Sequence, residues 1–255
     1  MSVRIVIAGA AGRMGRELVR EIAAAQGVTL TGGIGAKGSA ELGKDLGTLA
    51  GIAPLKIALS DDALPLIAKA DALIDFSTPA SSIEYAGLCA QARIVDVIGT
   101  TGLSDDDNAR IKAASRHATI IKSGNMSLGV NLLAGLVAQA AKALPWPVRI
   151  HDLHHAQKKD APSGTALMLG EGAAEARGFD FAEARKDRRI EFSSVRAGEA
   201  VGEHVVTFAG QGETIELVHR AATRAIFAKG ALQAALWGQG KGPGLFSMKD
   251  VLGLV

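Results

Sequence analysis

The stretch Ile5-Val-Ile-Ala-Gly9-Ala-Ala-Gly12-Arg-Met-Gly15, near the start of a 255-residue chain, decides the fold class. A β-branched run leads into three glycines spaced three apart, and Met14, Leu18, Ile22 and Ala25 then form an apolar stripe at helical spacing. This order of strand, glycine turn and amphipathic helix is typical of the opening of a βαβ unit. The sequence therefore predicts a Rossmann-like domain at the N-terminus.

The three glycines have separate expected roles. Gly9 permits a tight turn, Gly12 lets backbone N–H groups approach a pyrophosphate, and Gly15 allows close packing of the helix on the strand. Any tight strand-to-helix turn favours glycine, so a turn without a ligand is the alternative. The position at the start of a βαβ unit favours a phosphate site, with Arg13 beside it. The predicted cofactor-binding residues here are Gly9, Ala10, Ala11, Gly12, Arg13 and Met14.

The choice of cofactor depends on the end of the second predicted strand. The acid expected there for binding the ribose of NAD is missing, and Gly35 takes its place. Lys37 follows, and we expect no carboxylate nearby to repel a 2′-phosphate. Lys37 either faces that phosphate or is a solvated loop residue. We predict NADPH or NADH as cofactor, with NADPH modestly favoured.

The sequence pattern along the chain predicts two domains. Over the first 125 residues, short β-branched runs alternate with helical segments, which is typical of a parallel sheet. The predicted strands are Val3–Ala8, Val28–Ile34, Ala72–Phe76, Ile94–Ile98 and Ala118–Ile121. After Ser127 the pattern changes to a long helix, Leu128–Leu144, a strand, Val148–Leu153, a polar loop and a helix beginning near Ser163.

The later pattern completes the predicted architecture. Arg189–Val195, His204–Phe208 and Thr214–Val218 alternate apolar and polar residues and predict antiparallel strands, and a helix is expected from about Ala221 to Trp237. We predict an α/β protein with a Rossmann-like parallel-sheet cofactor domain, residues 1–125 plus 223–255. The second, α+β domain, residues 126–222, would carry an open, mostly antiparallel sheet and serve substrate binding and oligomerisation. We expect the active site in the cleft between them.

Composition excludes several classes of protein. A net charge of +2 argues against a sequence-independent nucleic-acid binder, and a single cysteine, Cys89, excludes an internal disulfide framework. The longest apolar runs fall well short of the roughly 20 residues that cross a bilayer. We expect a cytoplasmic chain that binds neither membrane nor nucleic acid, and Cys89 as a buried apolar residue.

The polar segment from His151 to Thr165 is the second informative stretch. Its histidines predict general-acid work at neutral pH, and its lysines would hold an anionic substrate. Ser163 suits a helix N-cap, and the N–H groups of Gly164 and Thr165 would then receive a carboxylate. A metal site is one alternative and a polar surface turn another. We predict no metal, and structural roles for His117, His204 and His219.

Together these segments resemble the 4-hydroxy-tetrahydrodipicolinate reductases, also called dihydrodipicolinate reductases. The resemblance spans nearly the whole chain. It rests on the first glycine loop and on Asp75-Phe-Ser-Thr-Pro79, Gly99-Thr-Thr-Gly102, His154-His-Ala-Gln-Lys-Lys-Asp-Ala-Pro-Ser-Gly-Thr-Ala166, Phe227-Ala-Lys-Gly-Ala231 and Met248-Lys-Asp-Val-Leu-Gly-Leu254.

The resemblance implies hydride transfer from NAD(P)H to a cyclic dicarboxylate of the diaminopimelate and lysine pathway, with loss of water. His154 would be the proton donor and acceptor, and Lys158 the second proton donor or carboxylate partner. His155, Gly164 and Thr165 would bind substrate. On the cofactor side, the resemblance adds Gly99, Thr100, Thr101, Ser123, Gly124, Asn125 and Met126. It also implies a homotetramer, formed by edge-to-edge pairing of sheets.

Two departures from the family pattern are visible. Family members often carry an acid where Gly35 stands and a basic residue where Ala36 stands, which leaves cofactor preference open. The stretch between Gly178 and Arg196 is also shorter than in longer members. A dehydrogenase of another amino acid and a non-catalytic nucleotide sensor are the alternative functions, and the histidine–lysine segment argues against both.

Overall fold

The structure is a computed structural model that describes residues 2–254. In chain order its elements are β1 (Val3–Ala8), α1 (Arg13–Ala24), β2 (Val28–Ile34), α2 (Leu46–Ala50), β3 (Leu59–Ser60), α3 (Ala63–Ile67), β4 (Ala72–Asp75), α4 (Pro79–Ala92), β5 (Val95–Ile98), α5 (Asp105–Ala114), β6 (Thr119–Lys122), α6 (Leu128–Ala143), β7 (Val148–His154), α7 (Gly164–Ala176), α8 (Phe181–Lys186), β8 (Ile190–Arg196), β9 (Gly202–Ala209), β10 (Thr214–Ala221), α9 (Ala225–Gly238), β11 (Gly244–Phe246) and α10 (Met248–Val251).

The backbone divides into two compact units. Unit 1 contains residues 2–127 and 225–253, and unit 2 contains residues 128–224 together with Leu254. Among the described residues, no helix is long and apolar enough to cross a membrane.

Unit 1 is built on a parallel sheet with the strand order β11-β6-β5-β4-β1-β2-β3 within the described chain. The five strands predicted there are present, and the first two have the predicted bounds. β3 and β11, of two and three residues, carry no pattern that the sequence analysis detects. The carboxyl ends of β1, β4 and β5 lie at one edge of the sheet and lead into the Gly9, Ser77 and Gly99 segments. The predicted Rossmann-like architecture is confirmed.

Unit 2 contains a mixed sheet with the order β10-β9-β7-β8. β9 is antiparallel to both β7 and β10, so most pairings are antiparallel as predicted. The prediction of an antiparallel strand over Arg189–Val195 is wrong, because β8 runs parallel to β7. The helices α7 and α8 carry the chain back to the starting edge of the sheet, and such a crossover produces a parallel pair.

One face of this sheet, the inner face, is covered by helices α6 and α7. Val148 and Ile150 of β7 and Val206 and Phe208 of β9 are buried in its core with apolar side chains of α6 and α7. The next two inward residues of β7 are Asp152 and His154, which are also buried. The inner face is therefore apolar along most of its length and polar at the carboxyl end of β7.

One further boundary differs from prediction. The helix predicted from about Ala221, α9, begins at Ala225, because β10 extends to Ala221 to pair with Gly202. The charged stretch from Glu183 to Arg189 belongs partly to α8, whose Arg185 lies over the rings of Phe181 and Phe192.

Candidate functional site

The glycine loop of unit 1 has the tight geometry that a phosphate-binding turn requires. Gly9 adopts a positive φ of 74°, and a Cβ at Gly9 would lie 2.4 Å from the carbonyl oxygen of Phe76. A Cβ at Gly15 would lie 2.2 Å from the carbonyl oxygen of Gly9, so this glycine sets the distance between α1 and the loop. Gly12 is the N-cap of α1 without a side-chain cap, which leaves the first turn of the helix to other partners.

A cavity of about 400 Å³ opens beside this loop. It is lined by Gly9, Ala11 and Gly12, by the end of β2 and the segment after it, and by the segment that follows β4. Ser77 and Thr78 belong to that last segment, and Thr78 caps α4 with Pro79 in the first turn. The glycine turn and the Asp75-Phe-Ser-Thr-Pro79 segment thus border one cavity.

Asp75 organises the polar groups next to this cavity. Its Oδ1 accepts hydrogen bonds from the backbone N–H and Oγ of Ser77, and Oγ1 of Thr100 lies 3.4 Å away. Thr100 is buried and accepts a hydrogen bond from the N–H of Ser77 at 3.1 Å. The predicted cofactor residue Thr100 therefore joins the loops after β4 and β5 through its side chain.

The remaining predicted cofactor residues all lie in unit 1. Arg13 and Thr101 are exposed, Met14 is half-buried, and Met126 is buried. Gly99 passes so close to Phe76 that a Cβ would lie 2.4 Å from its ring. Oγ of Ser123 donates to the carbonyl of Asn125, whose Oδ1 accepts from the N–H of Ser127. These contacts hold the Ser123–Met126 turn together at the end of unit 1.

The expectation that no carboxylate lies near Gly35 and Lys37 is wrong. Glu41 lines the cavity beside Gly35, and its Oε1 lies 2.8 Å from a guanidinium nitrogen of Arg16. A neighbouring cavity is lined by Gly35 and Lys37 together with Asp61 and Asp62. Asp61 and Asp62 follow β3, and this short strand, which has no visible pattern, brings them beside β2.

In unit 2, strand register assembles a row of polar side chains on the inner face. Asp152 on β7 pairs with Ser194 on β8 and with His204 on β9. One step further along, His154 pairs with Arg196. Of these five residues, only His154 was predicted from sequence to act in the site. Ser194, Arg196 and His204 are 40 to 50 positions from His154 along the chain, and Asp152 belongs to a strand end that looks unremarkable in sequence.

His154 is the best-positioned titratable group in this row. Its Nδ1 lies 2.9 Å from Oδ2 of Asp152, and its ring meets the ring of His204 edge-on with centroids 5.2 Å apart. A Cβ at Gly202 would lie 3.0 Å from Nε2, so this glycine keeps space beside that nitrogen. Burial and then the charge of Lys158 lower the pKa of His154, while Asp152 opposes them. The protonated ring is therefore a stronger acid than an ordinary imidazolium.

Burial lowers the pKa of His204 more strongly, to about 4, and the neighbouring His154 adds to the effect. His204 is thus neutral at pH 7. Its Nε2 lies 3.1 Å from Oγ of Ser163, which also accepts the N–H of Ala166 as the N-cap of α7. A structural role for His204 is consistent with these contacts. Its position against His154 makes it part of the site nonetheless.

Lys158 lies in the loop after β7 and makes a close ion pair. Its Nζ donates to Oδ1 of Asp160 at 2.7 Å, whereas Lys159 is exposed. The guanidinium of Arg196 donates to the carbonyl oxygen of Asp160 at 2.6 Å and also contacts Oδ2 of Asp152 at 2.9 Å. Arg196 therefore ties the Lys158 loop to the carboxylate that holds His154.

The predicted carboxylate site at the start of α7 has the predicted cap. Ser163 is the N-cap, and Gly164 and Thr165 form the first turn, whose N–H groups point away from the helix body. Gly164 is exposed, and no described atom lies within 4 Å of a Cβ built on it. His155 is half-buried, with Nδ1 lying 3.1 Å from Oε1 of Gln157.

Asp152, His154 and His204 also form a candidate metal cluster, with one ligand atom of each within 4.8 Å of the others. The guanidinium of Arg196 on Oδ2 of Asp152 opposes a cation there by its charge. The absence of a metal stays a prediction.

Comparison with known proteins gives consistent matches along the chain. Residues 3–126 match the family model described as dihydrodipicolinate reductase, N-terminus, and residues 129–252 match dihydrodipicolinate reductase, C-terminus. The 4-hydroxy-tetrahydrodipicolinate reductase of Parvibaculum lavamentivorans is 59% identical, covering 99% of this chain and 98% of the relative. The reductase 1 of Mesorhizobium japonicum is 56% identical, covering 98% and 97%.

Solved structures show the same fold. A dipicolinate-bound dihydrodipicolinate reductase from Paenisporosarcina sp. TG-14 is 25% identical with a TM-score of 0.81, covering 98% of this chain and 99% of that one. An amine dehydrogenase from Mycobacterium smegmatis has a TM-score of 0.71 at 15% identity, covering 97% and 95%, and this likeness concerns the fold alone.

Proposed function

The chain belongs to the dihydrodipicolinate reductase family, and from that premise we propose which of its residues carry out the reaction. It is a 4-hydroxy-tetrahydrodipicolinate reductase of lysine biosynthesis and uses a nicotinamide cofactor. The overall reaction converts 4-hydroxy-tetrahydrodipicolinate, NAD(P)H and a proton to tetrahydrodipicolinate, NAD(P)+ and water. The substrate is a small dicarboxylate, as the dipicolinate bound by the Paenisporosarcina enzyme suggests.

The glycine loop of unit 1 fits a dinucleotide. The backbone around Gly9 and Gly15 is too close-packed for any Cβ, and the adjoining cavity is bordered by the start of α1. Gly9 to Met14 would hold the pyrophosphate, and the Gly99–Thr101 and Ser123–Met126 segments would border the nicotinamide. When bound, the reduced nicotinamide supplies the hydride.

His154 is the proposed proton donor and acceptor. The observation that carries this assignment is the pairing of Nδ1 with the buried carboxylate of Asp152, which leaves Nε2 as the nitrogen that exchanges a proton with substrate. The lowered pKa of His154 favours release of that proton. Lys158 would bind a substrate carboxylate, exchanging its contact with Asp160 for one with substrate, and would serve as second proton donor.

The second carboxylate would be received by Gly164 and Thr165. The positive end of the α7 dipole and its first-turn N–H groups stabilise an anion there. Ser163 is occupied by Ala166 and His204, so its hydroxyl fixes the helix start and does not face the substrate. His155 would complete the substrate contacts.

The test of this assignment is His154→Gln, assayed with 4-hydroxy-tetrahydrodipicolinate and NADPH. We expect kcat to fall by about 10²-fold or more, the scale of lost general-acid catalysis, with cofactor affinity nearly unchanged. The control is His117→Gln, an exposed histidine in the turn after α5, away from this site. A His154 variant that retains most of its turnover would remove this residue from the mechanism.

For the cofactor, we infer that both forms bind and that NADPH is modestly favoured. The absence of an acid at Gly35 and the charges of Arg13 and Lys37 support this preference. Glu41, Asp61 and Asp62 oppose it, and Arg16 offsets the charge of Glu41. The preference is therefore small.

We also propose a cytoplasmic homotetramer. The open sheet of unit 2 supports it, because its two edge strands, β8 and β10, carry apolar side chains on the outer face, Val195 and Val218, that are 41% and 40% exposed. Strand register places both on the same side as His151 and Val205. Sedimentation of the full chain would test the assembly, and a monomer at working concentrations would contradict it.

A further inference from the structure

We propose that Asp152 is a positioning residue for His154, and that Arg196 partly offsets its charge, so that the carboxylate orients the imidazole while holding its proton less strongly. This proposal rests on the proposed role of His154 as proton donor. It adds two residues that the sequence analysis did not single out.

The first step is orientation. Asp152 is fully buried, and an ionised carboxylate can only accept hydrogen bonds. Nδ1 of His154 must therefore carry the hydrogen in their 2.9 Å contact, which directs the exchangeable proton to Nε2. Oγ of Ser194 donates to Oδ1 and Arg196 contacts Oδ2, so the carboxylate is held from two other directions. The imidazole of His154 is therefore held in one orientation by its hydrogen bond to this fixed carboxylate.

The second step concerns charge. Burial by itself raises the pKa of Asp152. The hydrogen bond from Ser194 and the charge of Arg196 nevertheless hold this pKa below its usual value. Asp152 is consequently ionised at neutral pH. A buried carboxylate alone would hold the proton on His154 strongly and slow its donation. Arg196, whose side chain is 15% exposed, reduces this effect from a distance of 2.9 Å.

Three strands and one loop contribute the charged and titratable groups that face His154. These are Asp152 on β7, Arg196 on β8, His204 on β9 and Lys158 in the loop. His219 on β10 lies behind His204. After burial, Lys158 lowers the pKa of His154 most, Asp152 raises it and Arg196 lowers it. Removing the carboxylate charge and removing the guanidinium charge must therefore move the titration of His154 in opposite directions.

The experiment compares pH profiles of kcat for the full chain with saturating NADPH. The variants are Asp152→Asn, Arg196→Gln and the double variant. Arg149→Gln is the control, because Arg149 forms an exposed ion pair with Glu191 across the same two strands. Because His154 acts as an acid, kcat falls as pH rises through its pKa. The pH of this fall is the readout, since a merely structural role would not move it.

We expect Asp152→Asn to lower kcat about tenfold or more, with the substrate KM within about threefold, and to shift the fall of kcat to lower pH. Arg196→Gln should shift it to higher pH and also raise KM, because Arg196 holds the Asp160 carbonyl. In the double variant the fall should lie between those of the two single variants, while kcat stays low. Arg149→Gln should match the parent.

Two outcomes would overturn the proposal: a parent-like profile and kcat in Asp152→Asn, or shifts of both single variants in the same direction. Asp152→Asn leaves Arg196 without its ion-pair partner and could fail to fold for that reason. In that case the double variant, which buries neither charge, is the test of the positioning role. A parent-like kcat in it would refute the positioning role. Failure of the proposed function is distinguishable, because His154→Gln would then be active whatever the Asp152 variants do.

Discussion

At the scale of single residues, Lys158 and Lys159 are adjacent in the chain but lie in different environments, so each serves as the control for the other. Nζ of Lys158 is held by Asp160 in the loop fixed by Arg196, whereas Lys159 points to solvent. We expect Lys158→Ala to raise the substrate KM about tenfold or more, the scale of a lost charge-assisted contact, and to lower kcat. Lys159→Ala should change neither by more than about twofold. Steady-state kinetics that gave the reverse pattern would mean that the other lysine binds substrate.

Cofactor preference is also decided by single charges. The parent should bind NADPH up to about tenfold more tightly than NADH, and Lys37→Ala should remove much of that difference. Glu41→Gln should increase it, because a carboxylate lining the cavity repels a 2′-phosphate. Lys44→Ala is the control within the same segment. Fluorescence titration with both cofactors measures these ratios, and a parent that binds NADH tenfold more tightly would refute the argument.

Gly35→Asp is not a clean test of the same question. A Cβ at Gly35 would lie 2.9 Å from a methyl carbon of Leu59, so the new side chain would first have to displace this buried residue. A change in preference would then mix charge with packing. Lys37 and Glu41 carry exposed or half-buried side chains and avoid this problem.

At the scale of elements, the contact between α1 and the glycine loop depends on Gly15. A Cβ there would overlap the carbonyl oxygen of Gly9 and the backbone of Ala10, which cannot move without opening the turn. We expect Gly15→Ala to destabilise unit 1 by about 1–3 kcal/mol and to weaken cofactor binding. Gly87→Ala, in the middle of α4, should stabilise by about 0.5–1 kcal/mol, because no described atom outside the adjacent helix backbone lies within 4 Å of the new Cβ. Chemical unfolding distinguishes the two, and equal effects would contradict the packing argument.

Elements with a strong local pattern were predictable, and those defined by pairing were not. β1 and β2 have the predicted bounds because β-branched runs end there at glycines, and α7 begins after Ser163 because serine caps it. β11 has three residues and exists through its pairing with β6. The direction of β8 depends on the path of α7 and α8, which alternation of apolar residues does not encode.

The residues of the candidate site also divide into those that a local sequence pattern predicts and those that strand pairing brings together. The glycine loop, His154 and Lys158 stand in contiguous motifs and were identified from them. Asp152 lay two residues from His154 without a visible reason to be singled out, and Arg196 and His204 meet it only through the register of β7, β8 and β9. Glu41 and Asp61 reach the two cavities beside Gly35 through loops with no periodic pattern.

At the scale of the whole molecule, the core of unit 1 contains an acid that the proposed mechanism does not use. Asp96 lies on β5, fully buried, and neither carboxylate oxygen has a hydrogen-bond partner among the described residues. Burial, and then the charge of nearby Asp75, raise the pKa of Asp96 well above its usual value. The folded chain therefore binds a proton at Asp96 over a pH range in which the unfolded chain does not.

The effect of this proton uptake on the free energy of unfolding has a definite sign. Above the ordinary carboxyl pKa the folded state holds more protons at Asp96 than the unfolded state, so the free energy of unfolding falls as pH rises towards the raised pKa. One proton corresponds to a slope of about 1.4 kcal/mol per pH unit. Asp96→Asn cannot take up that proton and should lack this part of the slope, so its stability relative to the parent should improve steadily from about pH 4 upwards.

Urea unfolding at several pH values, followed through Trp237 in a Trp146→Phe background, measures this slope in unit 1, to which α9 belongs. Asp71→Asn is a control in which stability should depend on pH in the opposite direction. The hydrogen bond between Asp71 and Arg4 lowers the pKa of Asp71, so the contribution of this contact to stability is lost as pH falls. If the parent and Asp96→Asn showed parallel pH profiles above pH 4, Asp96 would be ionised in the folded core, and an unidentified partner would have to stabilise its charge there.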